Sequence, residues 1–322
     1  MRSLFSLFAI RAVACLAMAS GAAAQTWPSR PVTMVLPFPA GSGLEVTARI
    51  VADRLGAALG QPVIVDPRPG ANGAIAASLV ARAAPDGHTI FMTTNSTHSA
   101  APGLVKNLPY DPIRDFTPLA RIGNLPFLLV VNPKLPVTNF AELVAYAKAN
   151  PGKLNYGSTN ATGLVGMKTI ARMTGVDMVH VPYKATPQAL SDLISGEIQT
   201  MLVDIASGSA QMKAGTVRAL AVTTKERSAL LPDLPGTREA GLPDFGVNSW
   251  NGVFGPAGMP APVAERLHAE LRKIAENPEI RARLATIGFD AFSGTREEFA
   301  AFVQDELVQW TKWIRDAGIE PE

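Results

Sequence analysis

The stretch "VLPFPAGSGLEVTARI", residues 35–50, decides the fold of this chain. An apolar run ends at Pro37, a turn with two glycines and a serine follows at 41–43, and apolar residues then recur at helical spacing. A strand that turns directly into a helix is the βα unit of open α/β sheets. Because the first N–H groups of a helix lack partners within it and the helix dipole is positive there, the turn is a candidate anion site.

The turn lacks the signatures of two nucleotide-binding sites. The dinucleotide fingerprint G-x-G-x-x-G would need a glycine where Val46 stands, and no Gly-Lys-Ser/Thr triplet of a P-loop occurs in the chain. The sequence therefore leaves two interpretations of the turn, a site for some other anion or a purely structural turn.

The rest of the chain alternates between short apolar runs and helical patterns. The runs are continuous rather than alternating, which indicates an α/β fold with a mainly parallel sheet covered by helices on both faces. The predicted strands are 31–36, 62–66, 88–94, 127–132, 154–158, 178–182, 198–204 and 217–223, and the predicted helices are 45–59, 73–84, 140–149, 164–174, 187–195, 207–214, 262–277 and 296–317. An apolar stripe on the last helix favours packing in a core or between domains over a partner-helix site.

Composition changes near 121–127 and near 243–258, where glycine and aromatic residues replace helix formers. We interpret these segments as two crossings between domains, so that the first domain is built from both ends of the chain. The predicted organisation is a signal peptide at 1–24, a first domain at 25–125 and 246–322, and a second domain at 126–245. The 298 residues that follow the signal suffice for two cores.

Residues 1–24 have the pattern of an export signal. Arg2 and Arg11 precede an apolar run at 12–19, and small residues follow up to Gln25. The run is far shorter than the ~20 residues that span a bilayer, which favours a cleaved signal over a retained anchor. We predict cleavage near Ala24/Gln25 and a periplasmic protein.

Cleavage would also remove Cys15, the only cysteine, so that the mature chain would contain neither a disulfide nor a cysteine-ligated metal. A lipid anchor at Cys15 is disfavoured because Ala12 stands where a leucine-like residue is expected. Removal of the two signal arginines leaves 27 basic and 27 acidic residues. This balance argues against binding to nucleic acid or to an anionic membrane surface.

A second loop repeats the arrangement of the first. Ser158, Thr159, Asn160 and Thr162 follow a predicted strand and precede a predicted helix, and their hydroxyl and amide groups suit a carboxylate. Ordinary helix capping by such residues is the alternative. Two such loops at the carboxyl ends of strands favour a ligand site, because open α/β sheets bind ligands at that edge.

Two more strand ends point to the same edge. Ser96 and Thr97 lie in "TTNSTHS", residues 93–99, and Asp204 leaves an apolar strand in "MLVDIAS", residues 201–207. Asp204 is predicted to be either a helix cap or an acceptor for a donor group of the ligand.

The chain offers little for catalysis. It has no G-x-S-x-G elbow and no H-E-x-x-H motif, and His88, His98, His180 and His268 lack metal-ligand spacing. We therefore predict no enzyme activity, no metal and no cofactor. His98 lies near serines, which leaves an exported hydrolase or isomerase, using His98 with a serine or Asp204, as the alternative.

Several longer segments together identify a family. They are "WPSRPVTMVLPFPAG" (27–41), "LGQPVIVDPRPGANG" (59–73), "LPYDPIRDFTPLARIG" (108–123), "VHVPYK" (179–184), "SGEIQTMLVD" (195–204) and "FGPAGMPAPV" (254–263). With these segments, nearly the whole mature chain resembles the solute receptors of tripartite tricarboxylate transporters, the Bug-type binding proteins. The resemblance implies a two-domain periplasmic-binding-protein fold of type II-like topology that closes on its ligand. It also implies permease subunits as partners and a monomeric receptor, while a sensory receptor for a membrane kinase stays open as an alternative.

The resemblance also implies which residues bind the ligand. In the family, loops after the first strand of each domain hold a carboxylate through backbone N–H groups, hydroxyls and bridging waters. The predicted ligand-binding set, including the strand-end residues above, is Phe38, Ala40, Gly41, Ser42, Gly43, Ser96, Thr97, Ser158, Thr159, Asn160, Thr162 and Asp204. The family loop usually has Gly-Gly, two variable residues and Asp, so that Ser42 and Glu45 depart from it.

The predicted site contains no Arg or Lys. Three or four hydrogen bonds to a charged group contribute about 1.5–3 kcal/mol each, so that about 5–12 kcal/mol is available before ordering costs. Micromolar affinity needs about 8 kcal/mol, so an uncharged site suffices. Phe38, Leu44 and Leu164 are expected to contact an apolar or aromatic part of the ligand.

Overall fold

The structure is a computed structural model, and it describes residues 27–228 and 230–321. The predicted signal peptide and its cleavage point lie outside these residues. In chain order, the strands are β1 (Val32–Leu36), β2 (Val63–Pro67), β3 (Thr89–Thr94), β4 (Phe116–Leu125), β5 (Phe127–Val131), β6 (Asn155–Ser158), β7 (Val179–Pro182), β8 (Thr200–Asp204), β9 (Arg218–Val222), β10 (Ser249–Pro256) and β11 (Asp290–Ala291).

The helices cover both sheets that these strands form. They are α1 (Gly43–Leu59), α2 (Ala74–Ala81), α3 (Ala101–Leu104), α4 (Phe140–Ala149), α5 (Ala161–Thr174), α6 (Thr186–Ser195), α7 (Ile205–Lys213), α8 (Ala261–Glu276), α9 (Pro278–Thr286) and α10 (Arg296–Asp316). A 3-10 turn at Ala71–Gly73 and a π-helical turn at Ser96–Ala100 complete the set. All eight predicted strands and eight predicted helices are present, whereas α3 and α9 were not predicted.

The strands form a six-stranded sheet in the order β11-β4-β10-β3-β1-β2 and a five-stranded sheet in the order β7-β6-β8-β5-β9. The prediction of an α/β fold with helix-flanked sheets is confirmed. Both sheets are mixed rather than mainly parallel, however. Parallel pairs join β1 to β2 and β3, and β6 to β7 and β8, while β4, β5, β9, β10 and β11 pair antiparallel with their neighbours.

The sequence patterns miss β4 and β10, the two longest strands of the six-stranded sheet. β10 contains two glycines and ends in proline, and its pairing with β4 shifts register twice, so neither strand has a regular apolar run. Each lies at a point where the chain passes between the sheets. β4 continues through Pro126 into β5, and the segment after β9 returns the chain to β10.

Helix α10 packs against both sheets. Phe299 and Val303 belong to an apolar cluster of the six-stranded sheet, whereas Trp310 and Ile314 are buried in the cluster of the five-stranded sheet. The apolar stripe of this helix is therefore a packing surface, as predicted. Within the described ranges, no helix combines the length and the hydropathy needed to cross a bilayer.

Candidate functional site

A narrow cavity of about 30 Å³ lies between the two sheets. The carboxyl ends of β1, β3, β6, β7 and β8 all lead into it, which is the edge where open α/β sheets bind ligands. The six-stranded half contributes Phe38, Pro39, Ser42, Gly43, Leu44, Thr94, Ser96, Leu125 and Ser249, and the five-stranded half contributes Phe127, Thr159, Asn160, Thr162, Lys184, Ala185, Thr186 and Asp204.

Four helices begin at this cavity. The first turns or caps of α1, α5, α6 and α7 all line it, so that the positive ends of four helix dipoles converge on one space. Such an arrangement attracts anions, and at each helix start the N–H groups that lack intrahelical partners supply hydrogen bonds.

Side chains of the protein itself accept some of the backbone N–H groups at the start of α1. Ser42 Oγ accepts a hydrogen bond from Glu45 N at 3.3 Å, and Gly41 N donates to Glu45 Oε2 at 2.8 Å. Glu45 also forms an ion pair with Arg49, with 2.6 Å between Glu45 Oε1 and Arg49 Nη2. The bond from Gly41 is the largest influence that lowers the pKa of Glu45. Ser42 and Glu45 therefore act together as an internal cap of α1.

The first loop closely approaches the opposite half of the molecule. A Cβ atom at Gly43 would overlap the carboxylate of Asp204 and lie 3.2 Å from Ala206 Cβ. Asp204 caps α7, since its Oδ1 accepts from Ser207 N at 2.8 Å and its Oδ2 from Ser207 Oγ at 3.0 Å. Burial raises the pKa of Asp204. Of the two roles predicted for Asp204, the structure thus contains the helix cap, formed by a side chain that also lines the cavity.

The second loop is capped in the same way and is tied to the other sheet. Asn160 Oδ1 accepts from Gly163 N at 2.9 Å. Thr162 Oγ1 accepts from Asn95 Nδ2 at 2.9 Å, and Asn95 Oδ1 accepts from Ser249 Oγ at 2.6 Å. The fully buried Asn95 thus bridges α5 and β10. Sequence reasoning missed Asn95, although an amide at a strand end, directly before Ser96, was a usable signal.

The structure brings eight of the twelve predicted residues to the cavity: Phe38, Ser42, Gly43, Ser96, Thr159, Asn160, Thr162 and Asp204. Ala40 and Gly41 are exposed beside its mouth, where Gly41 has a left-handed φ of 82° that favours glycine. They are not among the lining residues.

Ser158 and Thr97 also lie outside the cavity. The Ser158 hydroxyl is 2.7 Å from His180 Nε2 and faces a larger neighbouring cavity, which Leu164 also lines. The Thr97 hydroxyl is fully buried, 2.6 Å from Thr93 Oγ1 and 2.9 Å from His98 Nδ1. The chain enters a π-helical turn at Ser96, which directs Thr97 into the core rather than into the cavity.

His98 does not form the arrangement that nucleophilic catalysis requires. Its ring is fully buried and stacks on Phe254 with 3.9 Å between centroids, and burial lowers its pKa to about 3. Its hydrogen bond goes to Thr97 rather than to Ser96, Ser99 or Asp204. The hydrolase alternative therefore loses its base. Over 27–228 and 230–321, no group of three His, Cys, Asp or Glu side chains is arranged to hold a metal ion.

Sequence reasoning missed a third loop, at 184–186. Lys184, Ala185 and Thr186 follow β7, open α6 and line the cavity, so the lining is not free of basic residues as predicted. The signal was present, because Thr-Pro after a short strand is typical of a helix start.

Comparisons with known proteins show which family the chain is similar to. The model of the tripartite tricarboxylate transporter family receptor matches residues 47–319. A UPF0065 protein of Bordetella bronchiseptica is 39% identical over 301 residues, covering 93% of this chain and 89% of the relative. The protein BugT of Bordetella pertussis is 30% identical over 310 residues, covering 95% of each chain.

Two solved structures of similar sequence contain carboxylates. Rpa4515 of R. palustris with adipate has a TM-score of 0.90 and 35% identity, and the match covers 92% of this chain and all (100%) of the other. MatC of Rhodopseudomonas palustris with bound malate has a TM-score of 0.84 and 32% identity, and covers 89% and 100%. The family consists of substrate-binding receptors rather than enzymes. From the family match and the shared fold, this chain belongs to the tripartite tricarboxylate transporter receptor family.

Proposed function

We propose that this protein is a periplasmic receptor that captures a small carboxylate between its two halves and delivers it to a permease of the tripartite tricarboxylate transporter type. The observation that carries the proposal is the convergence of four helix starts on one cavity. Hydroxyl groups of Ser42, Ser96, Thr162 and Thr186 and the amide of Asn160 surround the same space. These groups suit a carboxylate and give no support to catalysis.

We further propose that the two sheets mark two domains, 25–125 with 246–322 and 126–245, which close around the ligand. The passage from β4 to β5 and the return to β10 support these boundaries, because the chain changes sheets at these two places. The close approach of Gly43 to Asp204 supports closure, since it joins a loop of one half to a loop of the other.

Export and partnership follow from the proposed role. Residues 1–24 are proposed to direct export and to be removed near Ala24/Gln25, and the receptor is proposed to act as a monomer. Membership in a family of transporter receptors supports a permease as the partner.

Thermal unfolding tests carboxylate capture directly. The chain without residues 1–24 is melted alone and with mono-, di-, tri- and aromatic carboxylates, each paired with its uncharged amide. Binding to the folded state alone stabilises it by about 2.7 kcal/mol at a hundredfold excess over Kd. We expect at least one carboxylate, and none of the amides, to raise the melting temperature. If no carboxylate does so for a chain that is folded by circular dichroism, the proposal is wrong.

Uptake tests the delivery step. A strain that lacks the receptor is expected to lose uptake of the carboxylate identified by melting, and a plasmid copy should restore it. Unchanged uptake together with a lost transcriptional response to the same compound would instead indicate the sensory role.

A further inference from the structure

Asn95 joins the two halves of the molecule beside the cavity between the sheets. It is the first residue after β3, and its side chain is fully buried. Its Nδ2 donates to Thr162 Oγ1 of the five-stranded half at 2.9 Å, and its Oδ1 accepts from Ser249 Oγ of the six-stranded half at 2.6 Å. Thr162 and Ser249 both line the cavity. Asn95 therefore contacts two hydroxyl groups that a ligand in the cavity would meet.

The amide of Asn95 gives these two hydroxyls opposite roles. A hydroxyl has one hydrogen to donate and lone pairs to accept with, and it rotates to suit its partners. Thr162 Oγ1 accepts from Asn95, and no residue in 27–228 and 230–321 accepts the hydrogen of its hydroxyl. Ser249 Oγ donates its hydrogen to Asn95, so it can only accept from a ligand. Thr162 is therefore a donor to the cavity and Ser249 an acceptor.

The hydrogen bonds around Asn95 all run in one direction. Ser249 donates to Asn95, Asn95 donates to Thr162, and the Thr162 hydroxyl is left to donate into the cavity. Hydrogen bonds arranged head to tail in a buried site polarise one another, which strengthens the last donor. Thr162 also lies in the first turn of α5, where the helix dipole favours negative charge. A negatively charged oxygen is thus the acceptor that best completes the chain of hydrogen bonds.

The bond between Asn95 and Thr162 exists only where the two halves meet. Asn95 follows a strand of the six-stranded sheet, and Thr162 lies in a helix that covers the five-stranded sheet. If the halves separate as proposed, Thr162 loses the partner that fixes the role of its hydroxyl. A charged acceptor on Thr162 and the bond from Asn95 therefore stabilise each other in the closed form.

We infer that Asn95 is a positioning residue for carboxylate capture, which orients the Thr162 hydroxyl as a donor to a ligand carboxylate when the two halves are closed. Asn95 acts through Thr162 and does not itself line the cavity. This inference rests on the proposed function, and it gives a task to a residue outside the predicted ligand-binding set.

A double-mutant cycle measured by calorimetry tests whether Asn95 acts through Thr162. Acetate, succinate, malate, adipate, citrate and benzoate are titrated into the chain without residues 1–24, and the compound that binds most tightly is the probe. Asn95→Leu and Thr162→Val are each expected to weaken the probe about tenfold or more, as the loss of one hydrogen bond to a charged group does. The double variant should be weaker than either single variant by at most about threefold, whereas independent effects would multiply to about a hundredfold.

Two further variants give an expected order of affinities. Thr162→Ser retains the hydroxyl and should bind the probe within about threefold of the native chain, because the hydrogen bond to the charged group is kept. Ser249→Ala removes the first bond of the chain but leaves Thr162 bonded to Asn95, so it should weaken the probe less than Asn95→Leu does. If Asn95→Leu does not fold, Asn95→Ala repeats the cycle without the added apolar bulk.

Asn132→Leu is the matched control for a loss of stability. Asn132 is also a buried amide directly after a strand, and its Nδ2 donates to Leu193 O at 2.6 Å and to Ile194 O at 3.1 Å. It does not line the cavity between the sheets. Its replacement should lower the melting temperature of the ligand-free chain and leave the affinity for the probe within about twofold, since the two sites are independent.

The possible outcomes separate this inference from the proposed function. Losses that multiply in the double variant, or native affinity in a folded Asn95→Leu chain, would overturn the role of Asn95 and leave carboxylate capture intact. An equal loss of affinity in Asn132→Leu would also overturn it, because any loss of stability would then have the same effect. A native chain that binds none of the six compounds would instead overturn the proposed function, and the inference with it.

Discussion

Gly43 has no room for a side chain, and the obstacle is the protein itself. In the structure, a Cβ atom at this position would overlap the Asp204 carboxylate, which belongs to the opposite half. A side chain at Gly43 is therefore expected to oppose closure rather than to block the ligand directly.

Gly43→Val should weaken binding of the stabilising carboxylate by tenfold or more, measured by calorimetry, with little change in the circular dichroism spectrum. Gly163→Ala is the control, because the equivalent Cβ in the second loop would make only an ordinary contact of 3.4 Å with Ser158 Cβ. Equal affinities of the Gly43→Val variant and the native chain would contradict the close approach of Gly43 to Asp204.

Asp204 makes stability depend on pH in a defined direction. Burial raises its pKa in the folded chain, so the folded state holds the proton more tightly than the unfolded state does. Stability from this group is therefore present below the unfolded pKa of about 4 and is lost as pH rises through the folded value.

Asp204→Asn cannot ionise, and its Oδ1 still accepts from Ser207 N. Relative to the native chain, the variant should gain stability between pH 4 and pH 7, by about 1.4 kcal/mol for each unit of raised pKa. Urea unfolding at four pH values measures the difference. A difference that stays constant with pH would show that Asp204 titrates alike in both states.

At the scale of elements, one carboxylate fixes the long helix α10 to β10. Glu306 Oε2 accepts from Trp250 Nε1 at 3.0 Å and from Trp310 Nε1 at 3.1 Å, and both indoles are buried. Burial raises the pKa of Glu306. Both indole N–H groups therefore depend on this one acceptor.

Glu306→Leu would leave two buried indole N–H groups without an acceptor, at about 1–3 kcal/mol each. We expect it to lower the free energy of unfolding by about 2–4 kcal/mol, measured by urea unfolding with tryptophan fluorescence. Glu306→Gln retains an acceptor oxygen and should cost about 1 kcal/mol or less. A Leu variant as stable as the Gln variant would be inconsistent with this role.

At the scale of the whole molecule, another cavity, called the rear cavity, lies beside the two segments where the chain passes between the sheets. Its volume is about 240 Å³ and its lining includes Pro126, whereas Leu125 and Phe127 on either side of Pro126 line the cavity between the sheets. Ser249, at the other crossing, lines both cavities. If the halves rotate about these segments, the rear cavity narrows when the ligand cavity opens.

Gly246 offers a way to fill this rear cavity, because an added Cβ would make only an ordinary contact of 3.4 Å with Trp313 Cζ2. Gly246→Met should fill the rear cavity and prevent it from narrowing, which favours the form in which the cavity between the sheets is closed. Small-angle scattering should then give a smaller radius of gyration for the ligand-free chain. The side chain of Gly246→Ala is too small to fill the rear cavity, so this variant should match the native value. An unchanged or larger radius of gyration for the Met variant would contradict the proposed coupling between the rear cavity and the cavity between the sheets.

Much of the architecture follows from local pattern. The strands that enter the cavity, the helices that follow them and the two hydroxyl-rich loops are readable because apolar runs and turn residues act over a few neighbouring positions. β4 and β10 are not readable in this way. Their glycines, prolines and register shifts make sense only when both strands lie side by side in the six-stranded sheet.

The candidate site shows the same difference between features that the sequence predicts and features that only the tertiary structure decides. The sequence by itself determined the family, the edge of the sheets at which the cavity lies and eight of the residues that line it. Only the tertiary structure decided that Thr97 faces the core, that Asp204 lies against Gly43, and that Lys184 joins the lining. These outcomes depend on how strands that are distant in sequence bring their ends together in space. A local sequence pattern extends over only a few neighbouring positions and does not specify this arrangement.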